Sequence, residues 1–433
     1  MIKLGWLLIL SLTQVLWSGP IIIGGVPGLD ASLFRVTTFA TGIPYAYGMT
    51  RLNDGGLLVG SSPGFQTRVL RFTDANGDGV ADGPGVPVIS GPGGIVTAIQ
   101  QVGPYVAVGL TSGNNNASVL FYAPGATPNA PYTPVGALQL TSSVFWEHNT
   151  PGLSVVPTVG QPGHFDLYVN IGSQNNNSPS TTPIAVSGLV NGNIQADSIY
   201  RFPIDTTGGS LTSTTPTRVV SGIRNSVAMG FRPSTGDFYF ADNGIDGLVD
   251  GNIPLSVDTL NRINPAQLFG PTLDYGFSAN YTEYRTGNVI GTLTNPPLIA
   301  FQPLGNPQTG SRSEGPSGLA FSPSNFPSPL ANGIFVGFHG RQDSVGLAND
   351  ENPLVFVDLS TNNYFHFIDN NDPNVGHIDS LFSTADSLFL ADFASTNGGD
   401  SGIVYQISMV PEPGTFALSF TALGMLWLYR RRS

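Results

Sequence analysis

The body of the chain repeats a pattern of short apolar segments separated by polar turns. In each unit an apolar segment leads into a turn, a second apolar strand, and a third strand that ends in aromatic or branched residues. The second strands are predicted at residues 57–59, 105–108, 167–169, 238–240, 334–336 and 388–390, and the third at 69–72, 119–122, 199–202, 260–263, 354–357 and 403–407. Six such units predict an all-β fold, a six-bladed β-propeller. Because their spacing is irregular, a β-sandwich or a pair of barrels remains an alternative.

A propeller has to close its ring, and one segment is available for this. Residues 34–39 precede the first unit and have no partner of their own. We expect them to form the outer strand of the sixth blade, which ties the two ends together and removes an open sheet edge. The predicted strands lack a clean apolar–polar alternation, as expected where both faces of a blade are buried. The predicted propeller spans residues 33–408.

The composition favours strands and turns over helices. The 433 residues include 55 Gly and 35 Pro, and only 10% are charged. Turn-forming residues in this abundance suit many short strands, whereas a helical protein needs more Glu, Lys, Ala and Leu. The chain is 40% apolar and 10% aromatic, which is too much for a disordered protein.

Charge and cysteine content exclude two classes of function. The net charge is −12, and Lys3 is the only lysine. Removing both ends would take away Lys3 and three arginines and leave the body still more acidic, so we exclude nucleic acid as a partner. The chain has no cysteine, which excludes disulfides and thiolate metal sites.

The two ends predict export. Residues 1–19 carry Lys3 and then an apolar run over 4–12, the pattern of a signal peptide; a buried strand is the alternative. Residues 410–433 contain Pro411, Glu412 and Pro413, an apolar run over 416–429, and then Arg430, Arg431 and Arg432. We predict a short transmembrane sorting helix, although its apolar run is shorter than the usual span of about 20 residues. The arginines would lie on its cytoplasmic side.

This order of P-E-P, short apolar helix and arginine cluster is similar to PEP-CTERM sorting signals. The resemblance implies recognition by an exosortase-type protease that cleaves near the P-E-P, with transient contact to the inner membrane through the tail. It also implies an exopolysaccharide-producing Gram-negative source, with the mature protein in the periplasm, on the cell surface or in the extracellular matrix. An ordinary C-terminal anchor is the alternative.

Chemistry-bearing residues stand in a shared register just before the predicted inner strands. Three units align without gaps from His148, Arg224 and Glu314, each nine residues before a proline. Equivalent positions of a propeller lie on one face around the central channel, so we expect these side chains to converge. His377 and Asp379 precede the sixth inner strand at nearly the same place. A general base, a fixed cation and carboxylates around one pocket predict a catalytic site, with hydrogen-bonded structural residues as the alternative.

The same region resembles the soluble quinoprotein glucose and sorbosone dehydrogenases, which are six-bladed propellers. Arg224-Asn225 with 230–236 is similar to the family pattern R-N-P-x-G-L-A-F-D-P-x-T-G, and 241–244 is similar to its D-N-G. Residues 258–263 resemble D-E-L-N-x-I, and residues 274–277 resemble N-Y-G-W. Residues 337–340, which include His339, resemble the stretch that precedes W-N-R in the sorbosone type. The resemblance covers about residues 40 to 407. Thr259 stands where the family has Glu, Phe277 where it has Trp, and Gln342-Asp343 where W-N would follow.

The resemblance implies oxidation of the anomeric carbon of aldoses with pyrroloquinoline quinone (PQQ) and calcium. It implies that His148 is the base, that Arg224 polarises the quinone, and that Asn225 is a neighbour of the cofactor. PQQ is a tricarboxylate that needs several cations. Arg224 and Arg341 are the candidates, and His339 is a further pocket residue. The alternative is a propeller that has lost catalysis and binds glycans or proteins of the exopolysaccharide matrix.

One loop carries a separate metal-binding pattern. Asp74, Asn76, Asp78 and Asp82 place oxygen ligands at alternating positions around a glycine turn. Calcium takes six to eight such oxygens, so we predict a structural calcium site; a plain turn is the alternative, because the loop lacks the final Glu of an EF-hand. The runs 114–116 and 175–177, all asparagine, are predicted as polar turns with no functional role.

Overall fold

The computed structural model describes residues 21–248, 253–302, 315–340, 353–368, 377–393 and 402–410. In these residues the chain is all-β and forms a six-bladed propeller, which confirms the predicted fold. Helical structure in the described residues consists of three single turns of 3₁₀ helix, Ala31–Leu33, Pro63–Phe65 and Gln267–Phe269. Within the same ranges, none of the helices is both long and apolar enough to cross a bilayer.

The first sixteen strands in chain order are β1 (Phe34–Ile43), β2 (Met49–Arg51), β3 (Leu57–Ser61), β4 (Gln66–Phe72), β5 (Val86–Gly93), β6 (Ile95–Val102), β7 (Tyr105–Thr111), β8 (Asn116–Ala123), β9 (Thr133–Ser142), β10 (Leu153–Pro157), β11 (His164–Ile171), β12 (Ile184–Gly188), β13 (Gly192–Ile194), β14 (Ser198–Asp205), β15 (Thr212–Ser213) and β16 (Thr217–Ser221). The remaining strands are β17 (Met229–Phe231), β18 (Phe238–Asp242), β19 (Asp258–Ile263), β20 (Leu273–Asp274), β21 (Tyr281–Thr282), β22 (Val289–Ile290), β23 (Ile299–Phe301), β24 (Pro316–Phe321), β25 (Gly333–Phe338), β26 (Leu354–Asp358), β27 (Asn363–Ile368), β28 (Ile378–Ser383), β29 (Ser387–Asp392) and β30 (Gly402–Met409).

Each blade is a four-stranded antiparallel sheet. From the channel outward the blades are β2–β3–β4–β5, β6–β7–β8–β9, β10–β11–β14–β16, β17–β18–β19–β23, β24–β25–β26–β27 and β28–β29–β30–β1. The predicted second and third strands of all six units are therefore the second and third strands of the blades. Two further strands, β12 and β13, extend the outside of the second blade.

The fourth blade carries an insertion between β19 and β23, residues 264–298. In it, β20 pairs in parallel with β16 of the third blade. The hairpin β21–β22 follows. The insertion thus lies against two neighbouring blades and forms one wall of a cleft that is described below.

The first strand closes the ring. β1 pairs antiparallel with β30, with Phe34 opposite Met409 and Val36 opposite Ile407. This confirms the prediction that residues 34–39 supply the outer strand of the sixth blade. The ring of Phe39 lies edge-on to Phe72 of the first blade and to Phe389 of the sixth, with centroid distances of 6.2 and 5.4 Å.

The core consists of apolar layers between neighbouring blades. The described residues form six buried apolar clusters, one for each pair of adjacent blades around the ring. Because each blade packs against a neighbour on either side, its strands are buried on both faces. All residues of β3, β25 and β29 are buried. This double burial is the physical reason for the missing alternation in the sequence.

The inner strands approach each other closely around the channel. A Cβ added to Gly152, just before β10, would run into the backbone of Val227, and one on Gly318 in β24 would lie 3.0 Å from the amide nitrogen of Leu381. The six inner strands all begin at the same end of the channel. We call this end the entry face, and the loops that precede the inner strands lie on it.

Candidate functional site

His148 and Arg224 are neighbours on the entry face, in the loops before β10 and β17. Residues 172–173, which directly follow β11, lie between them. The backbone N–H of Ser173 donates to the carbonyl of Arg224 at 2.7 Å, and that of His148 donates to the carbonyl of Ser173 at 3.0 Å. A Cβ on Gly172 would lie 2.8 Å from the Cβ of His148. Glycine is therefore required for the two loops to come together.

The hydrogen bonds of His148 define its tautomer. The hydroxyl of Ser173 donates its proton to the carbonyl of Asn175 at 2.6 Å, so toward His148 it can only accept. The Nδ1 atom of His148 faces this hydroxyl oxygen at 2.8 Å and the carbonyl of Ser173 at 3.1 Å. Because both Ser173 oxygens that face Nδ1 are acceptors, Nδ1 must carry the proton of the neutral imidazole. The lone pair is then on Nε2.

The surroundings of His148 also keep it neutral. The side chain is buried, and burial together with the nearby charge of Arg224 holds the pKa of His148 well below its usual range. A neutral imidazole with a free lone pair is the form that a general base needs.

Arg224 is buried and held in one orientation. Its Nε donates to the carbonyl of Asn176 at 3.1 Å, and its Nη2 donates to Oδ1 of Asn176 at 2.9 Å. Nη2 also forms an ion pair with the half-exposed carboxylate of Asp246 at 2.6 Å. The same Oδ1 of Asn176 accepts the backbone N–H of Asp246 at 3.1 Å. The guanidinium is thus fixed, and its charge is paired within the protein.

The loop that carries Arg224 is shaped by a carboxylate at the end of β18. Asp242 accepts the backbone N–H groups of Arg224 and Asn225, the latter at 2.8 Å, and the hydroxyl of Ser226 at 2.9 Å. Burial raises the pKa of Asp242 to about 6, against the opposing effect of these hydrogen bonds. At neutral pH the carboxylate is ionised and holds the loop.

The asparagine that follows His148 and Arg224 ties adjacent blades together. Oδ1 of Asn225 accepts from Nδ2 of Asn170 at 3.1 Å. Oδ1 of Asn149 accepts from the hydroxyl of Thr111 at 2.7 Å, and its Nδ2 donates to the carbonyl of Gly113 at 2.6 Å. The repeated asparagine of the sequence pattern therefore has a structural role in both loops, beside the role of cofactor neighbour that the resemblance implies for Asn225.

His339, His377 and Asp379 form a second cluster on the entry face. Nδ1 of His339 lies 2.8 and 3.0 Å from the carboxylate oxygens of Asp379. The rings of His339 and His377 stack with centroids 4.6 Å apart, and Nδ1 of His377 bonds to the carbonyl of His339. Burial lowers the pKa of His339, but the charge and hydrogen bonds of Asp379, with Asp392 adding, outweigh it and raise the pKa.

The two clusters are linked through the backbone of the entry face. The N–H of His339 donates to the carbonyl of Gly315 at 3.0 Å, and the N–H of Asn243 donates to the carbonyl of Asn225 at 3.1 Å. A Cβ on Gly315 would lie 2.9 Å from the side chain of Asn243. Of the other predicted site residues, Glu314 and Arg341 lie outside the described residues.

Three side chains that hold this site were missed in the sequence. Ser173 fixes the tautomer of His148, and Asn176 and Asp246 hold Arg224. The run 175–177, predicted as a polar turn, lies in a loop whose Asn176 holds the side chain of Arg224. These residues lie 22 to 48 positions from Arg224 or 25 from His148. Ser173 meets His148 within the third blade and Asp246 meets Arg224 within the fourth, each across a pair of neighbouring strands, whereas Asn176 reaches Arg224 from the adjacent blade. No local signal in the sequence marks these three residues.

A cleft next to Arg224 was also missed. It lies between the loops of the fourth blade and the insertion at 264–298. Arg224 and Asp242 lie on one side of it, and the aromatic rings of Tyr275, Phe277 and Tyr281 contribute to its lining. The segments 258–263 and 274–277, which carry part of the family resemblance, both contribute residues to this cleft.

The predicted calcium loop forms a compact turn between β4 and β5. Asp74 accepts the backbone N–H groups of Gly77 at 2.8 Å and Gly79 at 3.0 Å. Asn76 accepts the N–H of Asp78 at 3.0 Å, and Asp82 accepts that of Ala75 at 2.9 Å. Across the described residues, no group of three or more His, Asp or Glu side chains is arranged to hold a metal ion. Calcium at this loop stays a prediction.

Chelation tests the calcium prediction. An ion that binds only the folded protein raises its melting temperature by mass action, so we expect EDTA to lower it and added calcium to restore it. The variant Asp78→Ala should no longer respond, whereas Asp205→Ala, which removes another exposed turn aspartate, should respond like the natural protein. An unchanged melting temperature in EDTA would identify a plain turn held by its own hydrogen bonds.

The described residues fit the reacting end of a quinone cofactor better than its carboxylate end. His148 supplies a base in the required tautomer, and Arg224 supplies a fixed cation beside it. Around them, however, Glu147, Asp242 and Asp246 all lie close enough to Arg224 to interact with its charge. A tricarboxylate needs more cations than this part of the described chain provides. The predicted partner Arg341 lies outside it.

Comparison of the sequence with known proteins does not assign the chain to a family. No family model matches the chain. An uncharacterized protein of Borreliella burgdorferi is 32% identical over 186 residues, and the match spans 42% of this chain and 41% of that protein. The chain therefore covers less than half of that relative's length.

Solved structures match over nearly the whole chain. The holo PQQ domain of pyranose dehydrogenase from Coprinopsis cinerea has a TM-score of 0.57 at 16% identity and covers 90% of this chain and 97% of its own. A calcium structure of a Trichoderma reesei family AA12 enzyme has 0.55 at 17%, covering 91% and 98%. The PQQ-bound aldose sugar dehydrogenase of Streptomyces coelicolor has 0.51 at 14%, covering 88% and 99%. These likenesses show the fold: the chain is a six-bladed propeller of the kind found in PQQ-dependent sugar dehydrogenases.

Proposed function

We propose that this protein is an exported sugar dehydrogenase in which His148 removes a proton from a sugar hydroxyl. The observation that carries the proposal is the state of His148: a buried, neutral imidazole with its proton on Nδ1 and its lone pair on Nε2. The buried guanidinium of Arg224 lies beside it on the entry face. The fold shared with pyranose and aldose sugar dehydrogenases supports sugar as the substrate class.

The roles of the chain's own residues follow from their contacts. The Nε2 atom of His148 takes the hydroxyl proton, and the two oxygens of Ser173 stabilise the imidazolium through the Nδ1 proton. Arg224 stabilises negative charge that develops next to it. Asn225 and Arg224 would contact the cofactor, and PQQ when bound supplies the two-electron acceptor for the hydride that leaves the anomeric carbon.

Reconstitution tests this proposal directly. The purified protein would be loaded with PQQ and Ca²⁺ and assayed for dye-linked oxidation of a panel of aldoses. Oxidation of at least one aldose, dependent on PQQ, is the expected result. A protein that takes up PQQ and oxidises none of the panel would contradict the enzyme proposal.

A second candidate function is a glycan-binding propeller without redox chemistry. The ion pair between Arg224 and Asp246 favours it, because the cation that the described residues place beside His148 is already paired with a carboxylate of the protein. Sugar binding measured by calorimetry, without PQQ uptake and without oxidation, is the result expected from this candidate.

We propose in addition that the protein is exported and that its tail is processed. The residues Pro411, Glu412 and Pro413, the apolar run and Arg430 to Arg432 motivate this, and they lie outside the described residues. Mass spectrometry of the protein from its native host should find a C-terminus near Pro413. Exported copies that all retain Ser433 would contradict an exosortase-type processing step.

A further inference from the structure

An imidazole and a carboxylate join the fifth and sixth blades at the entry face. His339 directly follows β25 of the fifth blade, and Asp379 lies in β28, the inner strand of the sixth. Nδ1 of His339 lies 2.8 Å from one carboxylate oxygen of Asp379 and 3.0 Å from the other. The other ion pairs found in the described ranges each lie within one blade and its own loops. This pair therefore differs from them in holding two blades together.

The two partners of this pair differ in their exposure to water. The side chain of Asp379 is 1% exposed and that of His339 is 29% exposed. A buried carboxylate is costly unless a cation compensates its charge. In the described part of the chain, no arginine or lysine forms an ion pair with Asp379, and His339 is the group that can do so. Because the imidazole reaches solvent, the charge of the pair depends on the pH.

The other titratable side chains around the pair are His377, Asp392 and Tyr47. His377 stacks on His339 with centroids 4.6 Å apart, and its backbone N–H donates to Asp392 at 3.1 Å. The charge of Asp392 adds to that of Asp379 in favouring a protonated His339. Burial and the charge of Asp379 raise the pKa of Tyr47, so this phenol stays neutral. The surroundings thus favour a positive charge on His339.

We propose that His339 and Asp379 form a pH-sensitive latch between the fifth and sixth blades, closed when the imidazole is protonated and weakened when it is neutral. A neutral imidazole still donates its Nδ1 proton, but the attraction between two charges is lost and the carboxylate stays buried without a cation. This inference concerns the protein without ligand and does not rest on the proposed function.

The direction of the pH effect follows from the pKa of His339, which is raised in the folded protein above the usual 6.5. The folded protein therefore holds this proton more tightly than the unfolded chain does. The stabilisation by the latch is fully present below pH 6.5, and it is lost as the pH rises through the raised pKa.

The first measurement follows the imidazole itself. The natural protein, without cofactor or sugar, would be labelled with ¹³C at Cε1 of its five histidines and titrated by NMR over about pH 5 to 8. The signal of His339 is the one that His339→Gln lacks. We expect its titration midpoint above pH 6.5, and at lower pH in Asp379→Asn than in the natural protein. A midpoint at or below 6.5 in the natural protein overturns the latch.

The second measurement is the free energy of unfolding over the same pH range. Asp242 and His148 also contribute to its pH dependence, so the latch is measured as a difference between variants. The advantage of the natural protein over His339→Gln should shrink as the pH rises. His164→Gln is the matched control, since His164 pairs with Asp205 at 3.5 Å but both are more than a third exposed, so its difference from the natural protein should change little. A constant difference for His339→Gln contradicts the proposal.

Hydrogen exchange locates the effect in the propeller. If the latch weakens with rising pH, the amide protection factors of the inner strands β24 and β28 should fall more than those of β6 and β10. In His339→Gln the four strands should respond alike. An equal fall in all four strands of the natural protein would place the pH effect elsewhere and overturn the latch.

Discussion

Replacement of His148 by alanine is expected to lower the rate of aldose oxidation by about 100- to 10,000-fold, the usual contribution of a general base. The loss should appear in kcat and in kcat/KM alike, because the proton moves in the transition state. The measurement is dye-linked oxidation by the PQQ- and Ca²⁺-loaded protein, compared between the natural chain and the variant. His164→Ala is the matched control, since His164 is an exposed histidine beside Asp205 on the third blade.

The pH profile should show which residue limits the rate at low pH. The pKa of His148 lies well below its usual range, so the imidazole stays neutral as the pH falls through 6.5. Protonation of His148 should therefore not lower the oxidation rate in this pH range. Arg224→Gln removes a charge that lowers this pKa, so the acid limb of the profile should move to higher pH. If His148→Ala retains the natural rate, another group is the base. If the natural protein oxidises no aldose, the glycan-binding candidate takes its place.

The two candidate functions differ at one contact. In the sugar-dehydrogenase proposal Arg224 acts on charge at the cofactor, whereas in this structure its guanidinium is paired with Asp246. Asp246 is half-exposed, so a ligand with its own negative charge can compete with it for the guanidinium. The strength of that competition decides whether the site holds a quinone or only a neutral sugar.

Much of the fold could be predicted because blade packing leaves a local signal. A blade buries both faces of its strands, so each unit reads as two apolar runs separated by a turn, as in β3 and β4. The register of the inner strands was also visible, since the loops before β10 and β17 align without gaps. Their common position on the entry face follows from that alignment and from the symmetry of the ring.

The contacts of the site could not be predicted in the same way. Ser173 and Asn176 follow β11, and Asp246 follows β18, in loops of different length on different blades. Nothing in a polar loop sequence says which amide or carboxylate will meet a given arginine. The cleft was hidden for a related reason: the insertion at 264–298 forms its wall by pairing β20 with β16 of another blade, and a two-residue strand has no recognisable pattern.

Phe39→Ala is expected to destabilise the propeller by about 3–5 kcal/mol, the usual cost of removing a buried phenylalanine ring. Phe39 is 3% exposed and packs between Phe72 of the first blade and Phe389 of the sixth, where the ring of blades closes. A cavity at this position weakens the contact between the two ends of the chain as well as the local core. The measurement is the free energy of unfolding from chemical denaturation, with the melting temperature as a second readout.

Phe145→Ala is the control for this variant, because Phe145 is 57% exposed and its removal should change the free energy of unfolding by about 0.5 kcal/mol or less.

A propeller closed by β1 should unfold as one unit in the natural protein, since each blade is stabilised by both neighbouring blades. In Phe39→Ala the first and sixth blades should lose protection from hydrogen exchange before the third and fourth do. Equal stability of the two variants would mean that β1 does not hold the ends together, and the closure of the propeller would then have to lie elsewhere.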